Sequence, residues 1–211
     1  MTEKCIGVLL AGGLARRMGG GDKALQEVAG TTILDRMIAA LSPQCSGLIL
    51  NANGDPGRLK AYGLPIVGDD PPDFKGPLAG VLAGLDWIAA NAPGTSFALS
   101  APTDAPFLPH DLVARLFAAR RAEGAEIACA RSGGREHSVI ALWPVAIRQD
   151  LRHALFCEDL RKVGFFLRRH AVAYADWEIE PFDPFFNANA PDDLRIAEEI
   201  AMRPAASGKI L

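Results

Sequence analysis

Apolar positions along the chain fall into two kinds of segment that alternate from the N-terminus onward. Short unbroken runs have the pattern of strands covered on both faces. Cys5 to Leu10 is the first, Gly47-Leu48-Ile49-Leu50 the second, Pro65-Ile66-Val67 a short third and Phe97-Ala98-Leu99 the fourth. Between them, apolar residues recur at three- and four-residue spacing, as on one face of a helix. Ile33, Leu34, Met37, Ile38 and Leu41 form one such set, with Thr32 available as cap, Asp35 in the first turn and Ser42-Pro43 as the stop. Leu78, Val81, Leu82, Leu85 and Ile88 form another, ended by Asn91-Ala92-Pro93-Gly94. Leu112, Val113, Leu116 and Phe117 form a third, closed by Gly124. Ile127 to Ala130 and Val139 to Trp143 read as strands separated by the turn Ser132-Gly133-Gly134. This rhythm predicts an α/β fold: three α/β/α layers around a mostly parallel, Rossmann-like sheet.

The length of 211 residues suits one α/β unit with a sizeable core, so the expectation is a single domain over residues 1–202. Residues 203–211 are small and polar enough to form a flexible tail. A hydrophobic share of 49% with 22% charged residues is ordinary for a globular chain. The net charge of −3 argues against general nucleic-acid binding, and an anionic substrate must be drawn by local charge. No apolar run approaches the roughly 20 residues that span a bilayer, and the start does not resemble a signal peptide. Cys5, Cys45, Cys129 and Cys157 are far apart and form no C-x-x-C pair. They read as free thiols in a reducing, cytoplasmic setting, with no membrane partner.

Local charge of the required sign follows the first strand directly. Residues 12–23 hold five glycines together with Arg16, Arg17 and Lys23. Glycines let main-chain N–H groups approach a polyphosphate, and the cations replace the water it gives up. The segment is not a Walker A loop, because Lys23 is followed by Ala24 and not by Ser or Thr. Nor is it G-x-G-x-x-G, since Leu14 and Ala15 follow Gly12-Gly13. A surface loop with incidental charge is the alternative. In open α/β sheets, ligands bind beyond the carboxyl ends of the strands. Gly12, Asn51, the Asp69–Asp70 pair and Asp104 each follow a different one of the first four strands. Asp104 lies in Pro102-Thr103-Asp104-Ala105-Pro106, stiffened by two prolines, where a single carboxylate suffices for Mg2+ alongside phosphate oxygens.

These residues carry a resemblance. LAGG, R-M-G-G and D-K in the first loop, Asn51-Ala52-Asn53, Gly76-Pro77-Leu78-Ala79-Gly80, Thr103-Asp104-Ala105-Pro106-Phe107 and Asn187-Ala188-Asn189 together resemble the molybdenum cofactor guanylyltransferases. The wider set consists of nucleotidyltransferases built like nucleotide-sugar pyrophosphorylases, so the implied fold is nucleotide-diphospho-sugar transferase-like. The implied reaction is transfer of GMP from GTP to the terminal phosphate of molybdopterin, or Mo-molybdopterin, with release of pyrophosphate. The resemblance gives Leu10, Ala11, Gly12 and Gly13 main-chain contacts to the base, with Asn51 and Asp69 completing the nucleoside pocket. It places Lys23 and Arg17 at the triphosphate and Mg2+ on Asp104, which also belongs to the nucleotide site. LAGG, where cytidylyl-transferring relatives read LAAG, favours GTP over CTP. Delivery proteins or molybdoenzymes are implied as transient partners.

Other positions keep two readings. Asn187 or Asn189 supplies a second metal ligand or contacts the second substrate, or both simply order the turn into a helix at Pro191. Ala190 stands where the family has Thr, which removes a cap of about 1 kcal/mol. Arg135 and His137 lie either in a loop facing the pterin or in a structural hairpin, and Ser138 departs from the family's proline. Arg161 and Lys162 form a basic pair that either holds the second substrate or is plain surface charge. Gly80 and Gly84 thin one helix face, for a ligand or for the sheet. The competing functions are a cytidylyl- or sugar-phosphate nucleotidyltransferase of the same fold, and a nucleotide sensor without turnover.

Overall fold

A computed structural model describes residues 3–12, 22–70 and 76–203 of the chain. In chain order the strands and helices are β1 (Cys5–Leu10), β2 (Glu27–Val28), β3 (Thr31–Thr32), α1 (Ile33–Leu41), β4 (Leu48–Asn51), β5 (Ile66–Val67), α2 (Pro77–Asn91) and β6 (Phe97–Pro102). There follow α3 (Leu112–Glu123), β7 (Ile127–Ser132), β8 (Arg135–Pro144), α4 (Arg148–Phe156), α5 (Val163–Leu167), β9 (Val172–Trp177) and α6 (Pro191–Ala201). Short 3-10 turns cover Lys23–Leu25, Pro56–Tyr62 and Val145–Ile147.

Seven strands form one sheet in the order β5-β4-β1-β6-β8-β7-β9. All neighbouring pairs are parallel except those made by β8, which runs antiparallel to both β6 and β7. The alternating runs therefore translate into a mostly parallel sheet, as expected. The first four expected strands are adjacent, so their carboxyl ends share one edge. Leu10 pairs with Asn51 on one side and with Pro102 on the other, which sets the register of that edge.

Each face of the sheet carries its own core. Leu9, Leu50 and Leu99 pack with Ile33, Leu34, Met37, Leu112 and Leu116 on one side. Ile6, Val8, Ile49 and Ala98 pack with Leu78, Leu82, Leu85, Leu151 and Phe166 on the other. Fully burying one such side chain stabilises the fold by about 1.5–3 kcal/mol. The helix signals in the sequence act as read: the Asp35 N–H donates to Thr32 Oγ1 at 3.0 Å, and Gly124 ends α3 at a φ of 61°.

The β7–β8 hairpin is longer than its apolar core. Both strands run on to a two-residue turn, Gly133-Gly134, at φ 52° and 79°. Two consecutive positive φ values suit the twist of a tight hairpin and select glycine. Arg135 and His137 thus belong to strand β8, so the loop reading gives way to the hairpin. His137 is buried while Arg135 is exposed. Absent from the sequence reading are the β2–β3 hairpin, the edge strand β9, and the connecting helices α4 and α5. No described helix is long and apolar enough to cross a membrane. The expected tail lies outside the described residues from 204 onward.

Candidate active site

At the carboxyl edge, β1 ends between two polar groups of side chains. Ala11 N–H donates to the Asn51 carbonyl at 2.8 Å, tying the chain to β4. Leu10 O accepts from both the N–H and the hydroxyl of Thr103, each at 3.2 Å, tying it to the turn that carries Asp104. Gly12 is exposed, and a Cβ built on it would meet no described residue within 4 Å. Gly13, Arg16 and Arg17 lie outside the described residues.

Beyond β4 and β5, Asn51 is 4% exposed and satisfies its amide locally. Its Nδ2 donates to Asp69 Oδ1 at 2.8 Å and to the Val67 carbonyl at 3.2 Å. Asn53 completes a reciprocal pair, donating to Asp69 Oδ2 and accepting from the Asp69 N–H, each at 2.8 Å. Both carboxylate oxygens of Asp69 are thus oriented by amide donors. Asp70 is separated from this network: it is exposed and lines a cleft of about 190 Å3 with Val67, Asp86, Trp87 and Phe156. Helix α2 closes behind Asn51. A Cβ at Gly80 would overlap Asn51 Oδ1 and come within 2.8 Å of Leu10 Cδ2, and one at Gly84 would come within 2.6 Å of Val8 Cγ2. The thin helix face serves close packing on the sheet.

Beyond β6, Lys23 Nζ lies 3.0 Å from Asp104 Oδ2 and donates as well to Asn189 Oδ1. Three chain-distant residues singled out from the sequence are therefore in direct contact. Their side chains are largely withdrawn from solvent on the Lys23–Asp104 side, at 12% and 19% exposure, so water screens that pair poorly. Asp104 Oδ1 is buried, and no described residue hydrogen-bonds it. One carboxylate oxygen facing no partner is costly unless a ligand takes it up. The Asp104 carbonyl accepts from Ala188 N–H at 2.9 Å, which ties the 187–189 segment to the same turn. Asn189 makes the Lys23 contact, while Asn187 is half-buried two residues before it.

Helix α6 begins without a side-chain cap from Ala190, as its methyl group dictates. Asp193 answers from inside the first turn, its Oδ2 accepting from Asn189 N–H and Ala190 N–H at 2.8 Å each. The main chain at Asn189 is fixed in this way although the expected cap is missing. Asp104 precedes α3 by several residues and plays no part in starting it.

His137 lies buried on strand β8. Its Nε2 lies 2.7 Å from Ser132 Oγ, which donates to Asp183 Oδ1 at 2.8 Å. Since the single hydroxyl proton is committed to Asp183, His137 carries its proton on Nε2 and donates. Burial holds the imidazole below its ordinary range, opposed by the charge of Asp183. Phe185 packs on the ring at 4.8 Å, and its N–H donates to Asp183 at 2.9 Å. Arg161 pairs with Asp159 at 2.7 Å, and Lys162 stands 5.5 Å from the exposed Phe165 ring. The Arg161 carbonyl abuts Gly76, just before α2.

The sequence reading gave no role to Asn53, Arg58 or Asp183. Asn53 stands two residues beyond Asn51, the spacing that keeps side chains on one face of an extended chain. Asp183 precedes a proline in a turn-forming pair. Arg58 has no such signal.

Known proteins resemble this chain in sequence and in fold. A family model described as the MobA-like NTP transferase domain matches residues 7–173. A molybdenum cofactor guanylyltransferase of Rhodopseudomonas palustris (strain BisB5) is 58% identical over 93% of this chain and 93% of its own. One from Bradyrhizobium sp. (strain ORS 278) is also 58% identical, over 95% and 94%. Among solved structures, molybdopterin-guanine dinucleotide biosynthesis protein A of Archaeoglobus fulgidus shares the fold, with a TM-score of 0.73 and 23% identity over 93% of this chain and 98% of that one. With a matched domain over most of its length and such identity to these relatives, the chain belongs to the MobA-like NTP transferases and, within them, to the molybdenum cofactor guanylyltransferases.

Proposed function

We propose that this chain transfers GMP from GTP to the terminal phosphate of molybdopterin, or Mo-molybdopterin, in the cytoplasm. A phosphate oxygen of the acceptor attacks the α-phosphorus of GTP, and the bond to the β-phosphate breaks to release pyrophosphate. The observation that carries this reading is the Lys23–Asp104–Asn189 contact on the turn that hydrogen-bonds the end of β1, with Asp104 Oδ1 buried and given no hydrogen bond among the described residues.

A phosphate monoester is mostly ionised at pH 7, its second pKa lying near 6. The attacking group needs no base, and the work of the site is to hold anions together and stabilise the leaving charge. Lys23 supplies a cation at the phosphates, joined by Arg17 at the leaving pyrophosphate. Asn51 and Asp69 orient the nucleoside, with the main chain of Leu10, Ala11, Gly12 and Gly13 against the base. Guanine presents N1–H and N2–H donors, and the doubly braced Asp69 carboxylate offers fixed acceptors. Mg2+ suits the donor set, because a free carboxylate oxygen on Asp104 and the amide oxygen of Asn189 are hard ligands that leave room for phosphates and water. When bound, the ion neutralises phosphate charge during transfer. Arg161, Lys162 and Asn187 are assigned to the second substrate, and delivery proteins or molybdoenzymes to product uptake.

The test supplies each nucleoside triphosphate with Mg2+ and molybdopterin and measures pyrophosphate. Release with GTP alone among the nucleotides supports guanylyl transfer. Release with CTP, or with a sugar phosphate in place of the pterin, selects the alternative transferase. GTP binding without release overturns catalysis.

A further inference from the structure

We propose that Arg58 is a positioning residue that joins the segment aiming Lys23 to the segment aiming Asp69, an inference that rests on the guanylyl-transfer reading above. Arg58 lies in the 3-10 turn Pro56–Tyr62, which begins where Asp55 Oδ1 accepts from Gly57 N–H at 2.8 Å. Leu59, fully buried, anchors the turn to the core. From there the guanidinium reaches in two directions. Nη1 pairs with Asp22 Oδ2, and Nη2 donates to the Asn53 carbonyl at 3.1 Å.

Each partner leads to a different half of the site. Asp22 immediately precedes Lys23 and accepts at its carbonyl from Leu25 N–H at 3.1 Å, so its position sets the turn from which Lys23 extends. Asn53 braces Asp69 through two hydrogen bonds of 2.8 Å. The Asp22 side chain is 7% exposed and that of Arg58 26%, so the pair is mostly withdrawn from water and differs from a mobile surface ion pair. A guanidinium is a flat fork with separate donors on separate nitrogens. A lysine has one nitrogen and cannot reach both partners in the same way.

Arg58 makes no contact with Lys23, Asp69 or Asp104 themselves among the hydrogen bonds and ion pairs described above. Its effect is to fix the distance between the phosphate end and the nucleoside end of one substrate. Displacement of site groups by about 1 Å costs up to about 100-fold in function.

The experiment compares the native chain with Arg58→Met, Arg58→Lys, Asp22→Asn and the Asp22→Asn/Arg58→Met double variant. GTP affinity is titrated in the presence of Mg2+, and amide exchange is followed without nucleotide. Arg58→Met is expected to weaken GTP by about 10-fold or more. Arg58→Lys should keep most of that loss, and the double variant should be no weaker than the worse single one. Exchange should speed together in residues 22–26 and 52–54. GTP affinity within twofold of native in Arg58→Lys and Arg58→Met overturns the proposal, whatever their melting temperatures. Faster exchange in only one of the two segments also overturns it, because Arg58 would then not join them. If the native chain fails to bind GTP, the guanylyl-transfer reading falls, and the paired exchange result still decides whether Arg58 links the segments.

Discussion

Lys23 Nζ stands 3.0 Å from Asp104 Oδ2 across 81 residues of sequence, and this contact draws the turn that follows Asp22 onto the end of β6. The same ammonium reaches Asn189, whose main chain is held by Asp193. One cation thus gathers the ends of three separate segments.

Asp104→Ala and Asp104→Asn should abolish most turnover while leaving the fold intact. Loss of a preorganised charge at a phosphoryl-transfer site typically costs about 100- to 1,000-fold in rate. Pyrophosphate release at saturating GTP and Mg2+ checks this, with circular dichroism as the control for folding. Near-native release from either variant would remove Asp104 from the mechanism.

Asn189→Ala should reduce turnover more than Asn187→Ala, because Asn189 makes the contact with Lys23. Parallel rate measurements on the two variants decide between these neighbours. An Asn187→Ala defect equal to or larger than that of Asn189→Ala would assign the working amide to Asn187 instead.

Gly80→Ala and Gly84→Ala form a matched pair. Each places a methyl group against the sheet, and overpacking of this kind costs about 1–3 kcal/mol. Thermal melting should therefore register both. Only Gly80→Ala pushes on Asn51 and Leu10, so only it should weaken GTP binding. Equal GTP affinity in the two variants would disconnect Gly80 from the nucleoside pocket.

Acidification should destabilise the fold through His137. Its folded-state pKa is lowered, chiefly by burial, so below about pH 6.5 the unfolded chain binds a proton that the native chain refuses. Stability is therefore retained above the unfolded pKa and falls as pH drops from there toward the folded value. Melting curves between pH 7.5 and 5.5 should show this slope, and His137→Gln should flatten it. An identical slope in native and variant chains would assign the acid sensitivity to other groups.

The sequence determined the layered fold because its apolar runs and helical spacings depend only on local periodicity and burial. Cys5–Leu10 had to be a covered strand, and Thr32 and Gly124 had to bound helices, whatever lay around them. It also exposed Asn51, Asp69 and Asp104 as chemistry placed at strand ends, with Lys23 in the loop after the first strand. Short elements escaped it: the two-residue strands β2 and β3 have no periodicity to read, and β9 is defined by its pairing with β7. Only the tertiary structure showed which of two near neighbours is held by distant partners. Asp69 differs from Asp70, and Asn189 from Asn187, through partners many residues away. Arg58 became meaningful for the same reason, since a side chain bridging two loops leaves no local pattern and acquires its role when the chain closes around it.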